Sequence, residues 1–119
     1  MGVTVLIVDD HPTFRKFARR LLEEAGCVVV GEAEDGAGAI EAARSLRPAA
    51  VLLDVLLPDG SGLDVAAELA ATCDAPAVVL TSSRSATDLG IALEAAPACG
   101  FIPKERFTGA AFAALLERT

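Results

Sequence analysis

Five short apolar runs recur along this chain, and a stretch with a different period follows each. They are VTVLIV at 3–8, VVVGEA at 28–33, AAVLL at 49–53, APAVVLT at 75–81 and CGFIP at 99–103. A strand with one wet face alternates apolar and polar residues. Continuous Val, Leu and Ile character therefore marks strands covered on both faces. The segments between them are amphipathic. Pro12 suits a first helical turn, Phe14, Phe17, Ala18, Leu21 and Leu22 follow at helical spacing, and Gly26 is a stop. A second helix is expected over GAGAIEAARSL, closed by Pro48, and a third over Leu63 to Thr72. A fourth is expected over Ala86 to Ala96, ended by Pro97, and a last over Phe107 to Arg118. This β-α alternation predicts an α/β sandwich, a parallel sheet with helices on both sides. The 119 residues hold no internal linker, low-complexity tract or repeat, so a single domain over 1–119 is expected.

Composition removes several classes of function. Hydrophobic residues make up 53% and charged residues 23%, which is globular and not disordered. No apolar stretch approaches the roughly 20 residues that span a bilayer. MGVTVLIVDD lacks the basic start and cleavage site of a signal peptide, and Leu6 stands where a myristoylation signal needs Ser or Thr. Cys27, Cys73 and Cys99 have no metal-like spacing. An odd count without a secretion signal favours reduced thiols and a cytoplasmic location. The net charge of −7 argues against direct nucleic-acid binding and against anionic membranes.

The chemistry gathers at strand ends. In open α/β sheets ligands bind outside the carboxyl ends of the strands. Asp9 and Asp10 end the first run, Asp54 the third and Thr81 the fourth, while Lys104 follows the fifth. Adjacent acids beside a core repel one another and are costly to desolvate, so they need a cation. Oxygen ligands alone suit Mg²⁺, which prefers a few carboxylates plus water and phosphate oxygens.

These residues carry a resemblance. The chain resembles the receiver domain of bacterial two-component response regulators over essentially its whole length. The matching features are Asp9-Asp10, the segment D-x-x-L-P-D-G-S-G from Asp54 to Gly62, Thr81, and F-x-x-K from Phe101 to Lys104. The resemblance implies a flavodoxin-like (βα)5 three-layer sandwich with strand order 2-1-3-4-5. That order makes the first and third strands neighbours and brings the three acids to one rim.

The resemblance also implies roles. Asp54 would be the phosphoacceptor, taking a phosphoryl group from a sensor histidine kinase or a phosphotransfer protein. Asp9, Asp10, Asp54 and the backbone carbonyl of Leu56 would hold Mg²⁺, with Asp10 or its neighbour also capping the next helix. Mg²⁺ and Lys104 would keep Asp54 ionised; Lys104 and Thr81 would each bind a phosphoryl oxygen. Thr81 and Phe101 would form the switch that alters the face made by the fourth helix, fifth strand and last helix. A downstream protein or detached effector domain would read that face, and a homodimer could form on phosphorylation. Such a domain is regulatory and not an enzyme beyond its own phosphorylation and dephosphorylation.

His11, the single histidine, is expected as a partly exposed residue at a helix start in preference to a phosphorelay or ligand role, since one histidine does not build a His-based metal site alone. Asp59 and Asp64 are expected as a loop acid and a helix-start acid, favoured by the helix dipole. The sequence departs from the family pattern after Lys104, where Glu105 stands in place of proline, so no cis Lys-Pro turn is expected. Leu56 and Ser83 occupy variable positions beside the acceptor, and an apolar Leu56 would hinder attacking water. Three other readings compete. A flavin carrier would need a Ser/Thr/Gly-rich loop where DDHPTF is acidic. A phosphatase with an Asp nucleophile would need a second Asp at position 56. A degenerate receiver would fold and signal by binding alone.

Overall fold

The computed structural model describes residues 2–83 and 96–117. Its main sheet holds β1 (Thr4–Val8), β2 (Val28–Ala33), β3 (Ala50–Asp54), β4 (Ala77–Ser82) and β5 (Gly100–Pro103). The strands are all parallel, in the order 2-1-3-4-5. A separate antiparallel ribbon pairs Leu56–Leu57 with Gly60–Ser61 beyond the end of β3.

Successive strand residues point to opposite faces, and both faces are dry. Leu6, Val8, Val51, Leu53, Val78 and Leu80 pack on one side against Ala39 of α2 (Gly36–Leu46) and Val65, Ala66 and Leu69 of α3 (Gly62–Ala70). Val5, Ile7, Leu52, Val79 and Ile102 pack on the other. There they meet Ala18 and Leu22 of α1 (Pro12–Glu24) and Phe112 of the C-terminal helix (Gly109–Glu117). Each Leu or Val so buried contributes about 1.5–3 kcal/mol, which is why the strands read as unbroken apolar runs.

Register sets the strand ends level. Asp54 stands opposite Thr81, Thr81 opposite Ile102, and Val8 opposite Leu53. The residues that leave β1, β3, β4 and β5 therefore emerge on one rim.

Several element ends differ from the sequence reading. β3 runs one residue further and includes Asp54. The third helix starts at Gly62 and stops at Ala70, ahead of Thr72. Phe107 does not begin the last helix. It is buried against Phe14 and Phe112, after a 3-10 turn over Lys104–Arg106. No side chain caps α1, so neither Asp9 nor Asp10 fills that place. The expected fourth helix lies outside the described residues except for Ala96. Peptide bonds among the described residues are trans, in keeping with a proline that precedes Lys104. No helix among the described residues is long and apolar enough to cross a membrane.

Candidate functional site

Strand β1 delivers Asp9 into a dry environment. Its side chain has 0% exposure, and Oδ1 accepts a hydrogen bond from the His11 backbone N–H at 2.8 Å. Asp10 follows, half-exposed on the rim. Asp54 is 3% exposed, and its Oδ1 accepts from the Leu56 N–H at 3.1 Å. Lys104 bridges these two acids. Its Nζ donates to Asp54 Oδ2 at 3.1 Å and lies 2.6 Å from Asp9 Oδ2. The same ammonium sits 4.7 Å from the centre of the Phe14 ring, which shields it from water.

Among the described residues, charge at this rim does not balance: three carboxylates, Asp9, Asp10 and Asp54, face the Lys104 ammonium, and burial raises the energetic cost of the mismatch. Burial pushes the Asp54 carboxyl above its ordinary value. The Leu56 N–H pulls it down, the Asp9 charge pushes it up, and Lys104 pulls it down again. Asp9 Oδ2 and Asp10 Oδ1 are buried oxygens without a well-aligned hydrogen bond; Asp9 Oδ2 pairs with the Lys104 ammonium, and Asp10 Oδ1 lies 3.1 Å from His11 Nδ1. One ligand atom each from Asp9, Asp10, His11 and Asp54 lies within 4.8 Å of the others. Carboxylate oxygens in excess of the cation that faces them, clustered at one rim, are a donor set that suits a divalent cation.

The other sequence-predicted residues complete the rim. Thr81 is fully buried beside Asp54, but its hydroxyl turns away and donates to the Ile102 carbonyl at 2.6 Å. Phe101 is half-buried and packs on the sheet face that carries Leu80 and Val78. Leu56 is 46% exposed, two residues beyond the last residue of β3. His11 stands at the N-cap position of α1 with a largely exposed side chain.

Three supports escaped the sequence reading. Arg15 Nη1 donates to the Asp9 carbonyl at 2.6 Å, while its Nε donates to Glu32 Oε1 at 2.9 Å. This clamp ties the end of β1 to β2. Asp59 is more than a loop acid, since its two oxygens accept from Gly36 N at 2.8 Å and Ala37 N at 3.1 Å. It so caps α2 from 23 residues away, and those bonds hold its carboxyl below the ordinary value. Its partner is a helix from an earlier part of the chain, which local spacing cannot reveal. Finally, the chain after Asp54 doubles back. Gly62 N donates to the Val55 carbonyl at 2.6 Å, and a Cβ at position 62 would strike the Asp54 carbonyl.

This geometry has known counterparts. The model of the response regulator receiver domain matches residues 5–115. The chain belongs to the response regulator receiver family. The receiver is 42% identical over 103 residues to the nitrate/nitrite response regulator protein NarP of Escherichia coli K12, covering 85% of this chain and 47% of that one. It is 42% identical over 78 residues to the transcriptional regulatory protein PdtaR of Mycobacterium tuberculosis, covering 66% of this chain and 38% of the relative. A signal receiver domain from Mycobacterium tuberculosis superposes with a TM-score of 0.86 at 34% identity, covering 98% of this chain and 95% of that one. The receiver spans between about a quarter and a half of the curated relatives it matches, with shares of 26%, 38% and 48% for three of them. It is a flavodoxin-like response-regulator domain of two-component systems, with the acid cluster at its expected rim.

Proposed function

We propose that this receiver accepts a phosphoryl group on Asp54 and uses it to reset the β4–β5 side of the domain. The observation that carries the reading is the site itself. A buried carboxylate at a strand end is flanked by an acid pair and joined to Asp9 through the Lys104 ammonium. An Asp54 oxygen attacks phosphorus, the bond from phosphorus to the donor nitrogen or oxygen breaks, and the donor leaves with that electron pair. Asp9, Asp10, Asp54 and the Leu56 carbonyl would hold Mg²⁺. When bound, that ion neutralises charge on the acids and on the phosphoryl oxygens.

Lys104 binds one phosphoryl oxygen and so exchanges its contact with Asp54 for a stronger charge-assisted one. Thr81 gives up the Ile102 carbonyl and donates to another oxygen. The space it leaves lets the Phe101 ring turn inward, and the surface around β5 changes with it. A phosphoryl group adds about −1.5 to −2 charge at neutral pH, enough to bias such a two-state surface.

The donor is a sensor histidine kinase or a phosphotransfer protein in the cytoplasm. The reader is an attached effector domain or a separate protein, with dimerisation on phosphorylation as one mode of output. The domain makes no direct contact with nucleic acid or membrane, and its chemistry is confined to its own phosphorylation and dephosphorylation.

Intact-mass spectrometry after incubation with Mg²⁺ and acetyl phosphate tests this reading. One added phosphoryl group is expected, absent with EDTA and absent from Asp54→Ala. An adduct that persists in Asp54→Ala would move the acceptor elsewhere. No adduct, together with no beryllofluoride binding, would leave a degenerate receiver that signals by binding alone.

A further inference from the structure

Phe14 has no task in the phosphoryl chemistry above, yet it touches a residue on which that chemistry depends. The Lys104 Nζ lies 2.6 Å from Asp9 Oδ2, 3.1 Å from Asp54 Oδ2, 3.4 Å from His11 Nδ1 and 4.7 Å from the centre of the Phe14 ring. The two acid contacts do not last through the proposed reaction. The acid oxygens are the ones assigned to the cation, and Lys104 leaves Asp54 for the arriving phosphoryl group. The contact with His11 is the longest of the three polar ones, and that imidazole is 65% exposed. The Phe14 ring is the neighbour that neither cation nor phosphoryl group displaces, because its carbon face offers no ligand atom to either.

The ring is itself braced. Phe14 is half-buried on α1 and packs against the core layer that holds Ala18, Leu22, Phe107 and Phe112. It meets Phe107 at 5.9 Å and 70°, and Phe107 meets Phe112 at 6.3 Å and 63°. Both pairs are edge-to-face at favourable separations. Phe107 and Phe112 are buried, so this row of rings begins in the core and ends at the Lys104 ammonium. Phenylalanine is the chain's only aromatic residue type, at five positions, and four of them form this connected group once Phe17 is added. A leucine at position 14 would serve packing alone. What it lacks is the negative π face that attracts a cation.

We propose that Phe14 is a positioning residue for the acceptor site. Its π face holds the Lys104 ammonium in reach of Asp54 while the acid oxygens change partners. The inference rests on reading Asp54 as the phosphoacceptor. A lysine side chain has many rotamers, and ordering it only at the moment of transfer would slow the step. A ring that orders it beforehand removes that delay, because charge already in place is what speeds phosphoryl transfer.

Two measurements on the whole chain test this. The first is the rate of phosphorylation by acetyl phosphate with Mg²⁺, followed by intact mass. It compares wild type, Phe14→Leu, and chains carrying mono-, di- or trifluorinated phenylalanine at position 14. Fluorine drains the π face and changes the ring's shape little, so the series separates charge attraction from packing. Phe14→Leu is expected to slow phosphorylation about threefold or more, the factor carried by a cation–π contact. The trifluorinated chain should approach that rate, with the other two between. The second is the proton NMR signal of the Lys104 ε-methylene without donor. The ring should shield it in the wild type, and Phe14→Leu should remove the shielding. Circular dichroism checks that each variant folds. A flat fluorinated series, or a Lys104 signal that Phe14→Leu leaves in place, would overturn the inference and leave Phe14 as core packing. Wild-type phosphorylation in those cases keeps the Asp54 reading standing. A wild type that neither takes the phosphoryl group nor binds beryllofluoride would sink that reading and this inference with it.

Discussion

The β1–β3 half of the receiver site and its β4–β5 half are held in different ways. On the first side two of the acids are fixed by main chain. Asp9 and Asp54 accept from the N–H groups of His11 and Leu56, and Arg15 grips the Asp9 carbonyl from its bond to Glu32. On the second side the contacts are exchangeable. The Thr81 hydroxyl bonds one carbonyl, and Lys104 divides one ammonium between two acids. Moving the first half would break several backbone bonds at once. Moving the second costs single side-chain contacts, each worth about 0.5–1.5 kcal/mol, which a bound anion can replace. Under the proposed function the fixed half would bind and the loose half would report, an economical arrangement for a switch.

The contrast can be broken or sharpened by substitution. The largest effect should come from the fixed half. Asp10→Ala is expected to weaken Mg²⁺ by about tenfold or more, near 1.4 kcal/mol, whereas Thr81→Val should leave it within about twofold. Calorimetric titration of both variants checks this, and equal losses would erase the distinction.

A smaller effect is expected from charge burial. In EDTA, Asp54→Asn should stabilise the domain at neutral pH, because burial and the Asp9 charge raise the folded-state value of Asp54. The sign follows from linkage. With a folded-state value raised by burial, Asp54 binds its proton more readily folded than unfolded. Its stability is whole below the unfolded value and is lost as pH rises through the raised one. The advantage of Asn should therefore fade on acidification through that window. Asp9 and Lys104 also face Asp54, so urea unfolding of both proteins across pH is the measurement. An advantage that grows toward acid would reverse the assignment.

The smallest effect concerns Leu56, exposed beside the acceptor. Leu56→Asn should shorten the phosphorylated lifetime by about threefold, some 0.6 kcal/mol of barrier, by admitting and orienting water. Following loss of the phosphorylated form by intact mass would settle it, and slower loss would discard the idea.

Much of this was legible in the chain because the relevant signals are local. Apolar runs located the five strands, and Gly26 and Pro48 located two helix ends. Gly26 lies at φ +93, while Arg47, just before Pro48, takes a left-handed turn at φ 47. Asp9, Asp10, Asp54 and Lys104 could be placed on one rim because strand ends are a topological property. What stayed hidden depends on contacts between distant segments. Phe107 has a helical-looking neighbourhood, yet its ring is drawn into the core between Phe14 and Phe112. The Arg15 clamp, the Asp59 cap and the ribbon at 56–61 need partners that only the folded sheet supplies. The direction of the Thr81 hydroxyl is likewise a choice among neighbours, which no spacing encodes.

The doubling back of the chain after β3 has a consequence for heredity. The residue most confined there is not Asp54, the proposed acceptor. Asp54 can exchange its carboxylate for an amide and keep its shape, so a library scored for folding should accept changes at 54. Position 62 has no such freedom, because the Asp54 carbonyl occupies the volume of any side chain. If Asp54 is the acceptor, a lineage could silence this receiver in one step there and still restore it later. A lineage that lost Gly62 would lose the framework on which any acceptor stands.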